Sequence, residues 1–154
     1  MNVAARTAAT LNRRPVAPTT CHRFVGAFWV VVHTAEATTD AESERAWADL
    51  SANYASVKGT LVVTMGGGPN AFQRRRMREV LGNRRIPRTA VVTTSSVGRM
   101  LVAAINLFAD QRLRLFAPHD LDGALSYLDV PVPTTRLLRE QIAEFRKELG
   151  ISDT

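Results

Sequence analysis

A run of three glycines gives the clearest chemical signal in the chain. The segment 60–83 reads TLVVTMGGGPNAFQRRRMREVLGN, which is a β-branched apolar run, three glycines, a proline and then helix-forming residues. Gly66, Gly67 and Gly68 can take backbone angles that are closed to other residues, and Pro69 suits the first position of a helix. The segment therefore predicts a strand, a turn and a helix, and a helix N-terminus at such a turn favours an anionic group.

The glycine turn differs from the known nucleotide-binding loops in two ways. It lacks the lysine and the Ser/Thr that follow the glycines of a Walker loop. Gly66, Gly68 and Ala71 satisfy G-x-G-x-x-A, but a dinucleotide site also needs an acid at the end of the next strand, where residues 93–96 read TTSS. Two interpretations stay open: a tight turn with close strand–helix packing, which we favour, and a cradle for an anion.

Small and polar residues also follow the neighbouring predicted strands at the points where those strands end. In open α/β sheets, ligands bind beyond the carboxyl ends of the strands. For each residue taken alone, the alternative role is to end a strand or to cap a helix. Taken together they predict a partner- or ligand-binding site formed by His33, Gly66, Gly67, Gly68, Asn70, Thr94, Ser95 and Ser96.

Arginine is concentrated next to this site. Residues 70–99 hold eight arginines against one glutamate, a net charge of +7, whereas the whole chain carries +6. Such a surface can attract nucleic acid, anionic lipid or an acidic protein. Only Phe72 could stack on a base, and no helix-turn-helix or zinc pattern is present, so an acidic protein ranks ahead of nucleic acid. A solvated helix face is the alternative. The predicted basic patch consists of Arg74, Arg75, Arg78, Arg84 and Arg85.

The inventory of catalytic groups is small. Cys21 is the single cysteine, and the three histidines (His22, His33 and His119) lack the spacing of metal ligands. No nucleophile, base and orienting group stand in a recognisable pattern. We therefore expect neither an enzyme nor a cofactor nor a metal site. No apolar run reaches the roughly 18 residues of a membrane-spanning helix, and we expect a cytoplasmic protein without a transmembrane segment.

The elements that must position these residues alternate between strand and helix. The predicted strands are 23–34, 60–65, 89–94 and 112–116, and the predicted helices run from about 40 to 54, 69 to 81, 97 to 108, 118 to 128 and from about 134 onward. Alternation of this kind predicts an α/β fold with one small, mostly parallel sheet of four to five strands and helices packed on it.

The chain divides into three predicted parts: a disordered basic tail over 1–21, an α/β domain over 22–130, and a C-terminal amphipathic helix within 131–154. That last helix carries one apolar stripe and is expected to pack on the domain or on a partner. The segment 97–108 has no charge after Arg99, so we expect cover on more than one side, from the C-terminal helix or from a second copy in a homodimer.

The element order over 22–128, with a small-residue turn after an inner strand leading into a helix, resembles the STAS and anti-sigma-factor-antagonist-like (SpoIIAA-like) family. The resemblance implies a non-enzymatic regulatory module that docks on kinase or transport partners. In phospho-switch members, a serine or threonine begins the helix after the inner strand. Here residues 66–70 read GGGPN, without a hydroxyl, so the phospho-switch is in doubt, and Ser95 and Ser96 match it only by analogy.

Two functions follow as hypotheses. The first is a STAS-like regulatory or protein-interaction module that docks through its strand-end loops. The alternative is a small-molecule or phosphate-binding α/β domain, which would be a minor enzyme at most, using the turn at 66–70. A ligand domain should show a pocket with convergent donors at that edge, and a docking module a flat or convex surface.

Overall fold

The computed structural model describes residues 16–93 and 112–152. In these ranges the strands are β1 (Thr20–Val25), β2 (Phe28–His33), β3 (Gly59–Thr64), β4 (Thr89–Thr93) and β5 (Leu113–Phe116). The helices are α1 (Asp40–Asn53), α2 (Ala71–Leu81), α3 (Leu121–Tyr127) and α4 (Val132–Glu148), with one 3-10 turn at Tyr54–Ser56.

The five strands form one sheet in the order β1-β2-β3-β4-β5. β1 is antiparallel to β2, and the other three pairs of neighbours are parallel. Helices that follow β2 and β3 carry the chain back to the start of the next parallel strand, as parallel pairing requires. The prediction of an α/β fold with a single, mostly parallel sheet is confirmed.

The predicted first strand, 23–34, is wrong as a single element, because the structure has a hairpin there. β1 and β2 pair from Thr20 opposite His33 to Val25 opposite Phe28, across a two-residue turn. Gly26 in that turn has a φ of +58°, a left-handed conformation that glycine adopts without a steric penalty. The glycine therefore ends one strand within a stretch that otherwise reads as continuously apolar.

The first strand of the hairpin begins before the predicted end of the tail. The predicted tail ended at Cys21, but β1 already begins at Thr20. Thr19 is fixed as well: its amide and its hydroxyl donate to the two carboxylate oxygens of Glu42, at 2.8 and 2.6 Å. Residues 19–21 are thus part of the fold, which corrects the C-terminal end of the predicted tail.

Alternate residues of each inner strand contribute to two separate hydrophobic cores, one on each face of the sheet. On the first face, which we call the α3–α4 face, Phe28, Val30 and Val32 of β2 are buried with residues of β3, β4, α3 and α4. On the second, the α1–α2 face, Trp29 and Val31 are buried with residues of α1 and α2. Burial on both faces explains why β2 is apolar at five consecutive positions.

The C-terminal helix packs on the domain itself. Leu138, Ile142 and Phe145 of α4 are buried in the α3–α4 core, and Leu149, just after the helix, packs at its edge. α4 contacts β1 and β2. The predicted apolar stripe is therefore the contact surface of this helix.

Several predicted features lie outside the described residues. These are the segment 97–108, with its proposed cover and dimer contact, and the site residues Thr94, Ser95 and Ser96. Across 16–93 and 112–152, no helix combines the length and the hydrophobicity needed to cross a membrane.

Candidate functional site at the strand-end edge

The carboxyl ends of the parallel strands meet at one edge of the sheet, which we call the strand-end edge. His33 pairs with Thr20 on one side and Thr64 on the other, and Thr64 pairs with Thr93. The four residues form a transverse row, and all of them are buried. Parallel register thus brings His33, the glycine turn after β3 and the last described residue of β4 to a common edge.

The glycine turn is held by bonds from its own strand and from the loop after β2. The hydroxyl of Thr64 accepts from the amide of Gly66 at 3.0 Å and donates to the carbonyl of Gly67 at 2.6 Å. The amide of Gly67 donates to the carbonyl of Thr34 at 2.8 Å. A Cβ at position 67 would lie 2.0 Å from the carbonyl oxygen of Glu36, so only glycine fits there.

α2 begins immediately after this turn with a capping box. Asn70 is the N-cap and accepts from the amide of Gln73, and the side chain of Gln73 accepts from the amide of Asn70. The helix therefore starts at Ala71, two residues after Pro69, where the sequence predicts its start. The amides of Gly66, Gly67 and Asn70 are all engaged within the turn, so they are not available to cradle an anion.

His33 is deeply buried and uncharged near neutral pH. Burial lowers its pKa from 6.5 to about 4, although the negative charge of Glu42 acts in the opposite direction. Its Nδ1 lies 3.3 Å from the hydroxyl oxygen of Thr38. A histidine in this state is neutral at pH 7 and acts there as a hydrogen-bonding group.

Glu42 is a structural residue that the sequence interpretation missed, because it reads as part of an exposed helix start. Burial would raise its pKa, but hydrogen bonds from Thr19 and Thr39 outweigh that effect and lower it to about 2. Thr39 and Glu42 form a capping box at the start of α1. The Thr-x-x-Glu spacing at 39–42 is the sequence signal that could have identified this role.

A cavity of about 120 Å³ lies on the α1–α2 face beside the glycine turn. Gly67, Gly68 and Pro69 line it together with His33 and Thr38. Its lining also includes Trp29 and Ser43, whose indole Nε1 and hydroxyl oxygen are buried and have no hydrogen-bond partner. The sequence interpretation missed both residues, because nothing in their spacing shows whether a side chain finds a partner.

A wider and more polar cavity of about 510 Å³ lies toward the opposite edge of the sheet, away from the predicted site. Lys58, Arg88 and Arg112 line it, together with Asp129. Arg88 is engaged there, since its guanidinium lies 2.9 Å from the carboxylate of Asp129 and donates to the carbonyl of Tyr127.

The arginines of the predicted basic patch differ in burial and in the contacts that they make. Arg84 stacks on the ring of Tyr54 at 4.7 Å and donates to the hydroxyl and carbonyl oxygens of Ser51. Arg74 is partly buried and donates to the carbonyl of Pro69. Arg75, Arg78, Arg84 and Arg85 are all exposed.

Phe72 stands out on the same helix. It is 61% exposed, whereas most large apolar side chains of the described chain are buried or partly buried. It occupies the first turn of α2, next to the glycine turn, and Arg75 follows three residues later on the same side of the helix. The sequence interpretation noted Phe72 only as an aromatic that might stack on a base.

Among the residues that the structure describes, no three His, Cys, Asp or Glu side chains are grouped so that they could hold a metal ion. The chain matches no family model, no curated protein and no solved structure.

Proposed function

We propose that this protein is a non-enzymatic regulatory module of STAS-like architecture, which docks on an acidic protein partner through the strand-end edge and the adjoining outer surface of α2. We define that surface by Phe72, Arg75 and Arg78. The observation that carries the proposal is the exposed ring of Phe72 beside arginines at the start of a rigidly held helix. Aromatic residues and arginine are the side chains that most often dominate binding energy at protein interfaces.

The position of Phe72 is fixed by its neighbour. Gln73 is buried and donates from Nε2 to the carbonyl of Thr38 and to the carboxylate of Asp40, both at 2.8 Å. The backbone carbonyl of Gln73 accepts from the indole Nε1 of Trp47 at 3.1 Å. These bonds tie the first turn of α2 to α1, so Phe72 is presented on a preorganised surface and loses little conformational entropy on binding.

The charge of this surface favours an acidic partner. Arg76 is neutralised by Glu44 at 2.9 Å and by Glu79 at 3.2 Å. Arg75 and Arg85, by contrast, form no ion pair with the residues that the structure describes. Guanidinium groups outside such ion pairs attract carboxylates over a distance of about one Debye length, which accelerates association.

Site-specific photocrosslinking in the native host tests the docking surface. A benzophenone amino acid replaces Phe72 in one variant and Leu137 in a matched control, since Leu137 is also a large exposed apolar residue, at 52% exposure, but lies on α4. We expect position 72 to capture an acidic protein that position 137 does not capture. Arg75→Glu combined with Arg78→Glu should remove that adduct.

The same adducts at positions 72 and 137, or none at position 72, would contradict the proposal. A crosslink to nucleic acid whose yield falls steeply with added salt would instead favour nucleic-acid binding.

Small-molecule binding is the second candidate function, and one observation favours it. A ligand domain should present a pocket with polar groups at the strand-end edge, and the residues that line the cavity beside Gly67 and Gly68 include His33, Thr38 and Ser43. This candidate uses the interior of the α1–α2 face rather than the outer surface of α2, so the two functions can be tested separately.

A further inference from the structure

Three cationic residues lie at the edge of the sheet where the parallel strands begin. Lys58, Arg88 and Arg112 come directly before β3, β4 and β5. The amide of Lys58 donates to the carbonyl of Ala27 at 2.7 Å, and the carbonyls of Arg88 and Arg112 accept from amides of β3 and β4 at 2.8 and 2.9 Å. Since neighbouring strands lie about 4.8 Å apart, this register places Arg88 beside Arg112, with Lys58 one strand further along the same edge.

The side chains of these three residues line the polar cavity of about 510 Å³ described above. Its volume falls within the range of about 300–1,000 Å³ that is usual for small-molecule sites. Within 16–93 and 112–152, neither Lys58 nor Arg112 forms an ion pair. Positive charges that converge on one cavity repel each other, so a negatively charged ligand would lower the electrostatic free energy there.

Arg88 is the best ordered of the three cations. Its Nη1 lies 2.9 Å from a carboxylate oxygen of Asp129 and 3.1 Å from the carbonyl oxygen of Tyr127, and its guanidinium lies over the ring of Tyr127 at 5.6 Å. These bonds use the two N–H groups of Nη1, and a guanidinium has three more on Nε and Nη2. No acceptor among the described residues is bonded to those three. Arg88 therefore presents oriented donors whose ordering costs little on binding.

Asp129 is the acid in the described lining, and it opposes an anion only weakly. Its side chain is 82% exposed, so its charge is well screened by solvent. It ends the turn after α3 with a φ of +54°, a conformation that aspartate and asparagine tolerate better than most residues. Asparagine can therefore replace it to remove the charge while keeping the turn.

The number of cations favours phosphate over carboxylate. A phosphate monoester carries nearly two negative charges at neutral pH and three terminal oxygens that accept hydrogen bonds. Arginine binds such oxygens with paired N–H groups, and lysine adds a compact charge. A carboxylate has one charge and two oxygens, so it would use only part of this arrangement.

We infer that this cavity binds a phosphate group, either free or as the monoester of a small molecule, between the side chains of Lys58, Arg88 and Arg112. The site lies at the opposite edge of the sheet from the glycine turn. It is therefore independent of docking through α2 and of the cavity beside Gly67.

Isothermal titration calorimetry of the full chain tests the inference with four probes. These are inorganic phosphate, glucose 6-phosphate, glucuronate, which has a carboxylate in place of the phosphate-bearing carbon, and glucose. The salt concentration is about 0.15 M, which screens attraction to scattered surface charges. We expect saturable binding of phosphate or of its monoester, at least about tenfold weaker binding of glucuronate, and none of glucose. Tighter binding of the monoester would identify a phosphorylated molecule as the ligand, and equal binding would identify free phosphate.

Substitutions at exposed positions locate the site. Arg112→Gln and Lys58→Gln should each weaken phosphate binding about tenfold, as expected for the loss of one charged hydrogen-bond donor. Asp129→Asn should strengthen it about two- to threefold, because a repelling charge is removed. Arg75→Gln is the matched control, since it removes the same charge from the outer surface of α2 and should leave binding unchanged. Tryptophan fluorescence during urea unfolding checks that each variant is folded.

Three results would overturn the inference. The first is no binding of either phosphate probe at millimolar concentration. The second is equal weakening by Arg75→Gln and Arg112→Gln, which would mean that phosphate is attracted by the overall charge of the protein. The third is a set of ¹⁵N amide shifts centred on residues 66–70 instead of 57–59 and 87–89. None of these results affects the crosslinking at position 72, so the proposed docking function can fail or hold separately.

Discussion

The two faces of the sheet are formed by the same strands but differ in the polar groups that they bury. On α4, which packs on the α3–α4 face, Gln141 is buried and hydrogen-bonded, and the Nε of Arg146 is buried without a partner. The α1–α2 face buries a row of hydroxyl and imidazole groups, and two of its polar atoms have no partner. Because a buried polar group lowers stability unless it is bonded, the α1–α2 face, with its buried imidazole and the unpaired atoms of Trp29 and Ser43, gives up more free energy than the α3–α4 face.

The difference appears within a single strand. In β2, Phe28, Val30 and Val32 point to the α3–α4 core, whereas Trp29, Val31 and His33 point to the other side. Sheet geometry alone imposes this alternation. The choice of residues does not follow from geometry, because valine in place of His33 would satisfy the same position more simply. Local violations of the packing rules are most often found where a protein functions, which supports the proposal that function lies on the α1–α2 side of the sheet.

The largest expected loss of stability comes from a cavity-forming substitution in the core of the α3–α4 face. Leu138→Ala removes a side chain that is fully buried there and should lower the free energy of unfolding by about 3 kcal/mol. Urea unfolding followed by tryptophan fluorescence measures the loss. The exposed neighbour gives the control, since Leu137→Ala should change stability by less than about 0.5 kcal/mol. Equal losses in the two variants would show that α4 does not pack as described.

Acid should destabilise the α1–α2 face through His33. Its pKa is about 4 in the folded protein against an ordinary 6.5, so the unfolded chain binds the proton more readily. Stability contributed by the neutral imidazole is therefore complete above pH 6.5 and is lost as the pH falls toward 4. Between pH 7 and 4.5 the expected loss is roughly 2.5 kcal/mol. The pKa of Glu42 is also lowered, to about 2, so its contribution disappears only below pH 4.5.

Urea unfolding at pH 7 and at pH 4.5 measures this loss, and His33→Leu provides the comparison. The variant should lose much less stability than the wild type between those two values, because the titrating group is absent while the exposed carboxylates are unchanged. A variant that kept the full pH dependence would place its origin in another group than His33.

The general arrangement of the α1–α2 face could be predicted from the sequence, and its chemistry could not. Alternating strand and helix patterns predict parallel neighbours, and parallel register then places His33, the turn at 66–70 and the end of β4 at one edge. The hairpin at Gly26 was missed, because a turn of two small residues lies inside an apolar run. The state of Trp29 and Ser43 depends on which acceptors surround them in space, and a single sequence carries no record of that.

The hydroxyl of Thr64 is buried and hydrogen-bonded on the α1–α2 face, and its removal should lower the free energy of unfolding. Thr64→Val keeps the shape of the side chain but removes the bonds to the amide of Gly66 and the carbonyl of Gly67. Both partners then stay in the turn without their bonds, and we expect a loss of about 2 kcal/mol in urea unfolding. A neutral result would mean that the turn rearranges or takes up water.

The smallest expected change in stability is also the one that most directly tests the comparison between the two faces of the sheet. Ser43→Ala removes a hydroxyl that is buried like that of Thr64 but has no partner. Without added ligand, the free energy of unfolding should stay the same or rise by up to about 1 kcal/mol, since an uncompensated polar group is replaced by an apolar one in a helix, where alanine is favoured. The measurement is the same urea unfolding, with Thr64→Val as the matched variant. If Ser43→Ala destabilises the chain as much as Thr64→Val does, then its hydroxyl has a partner in solution, such as a bound water, and the α1–α2 face gives up less stability than the contrast between the two faces implies.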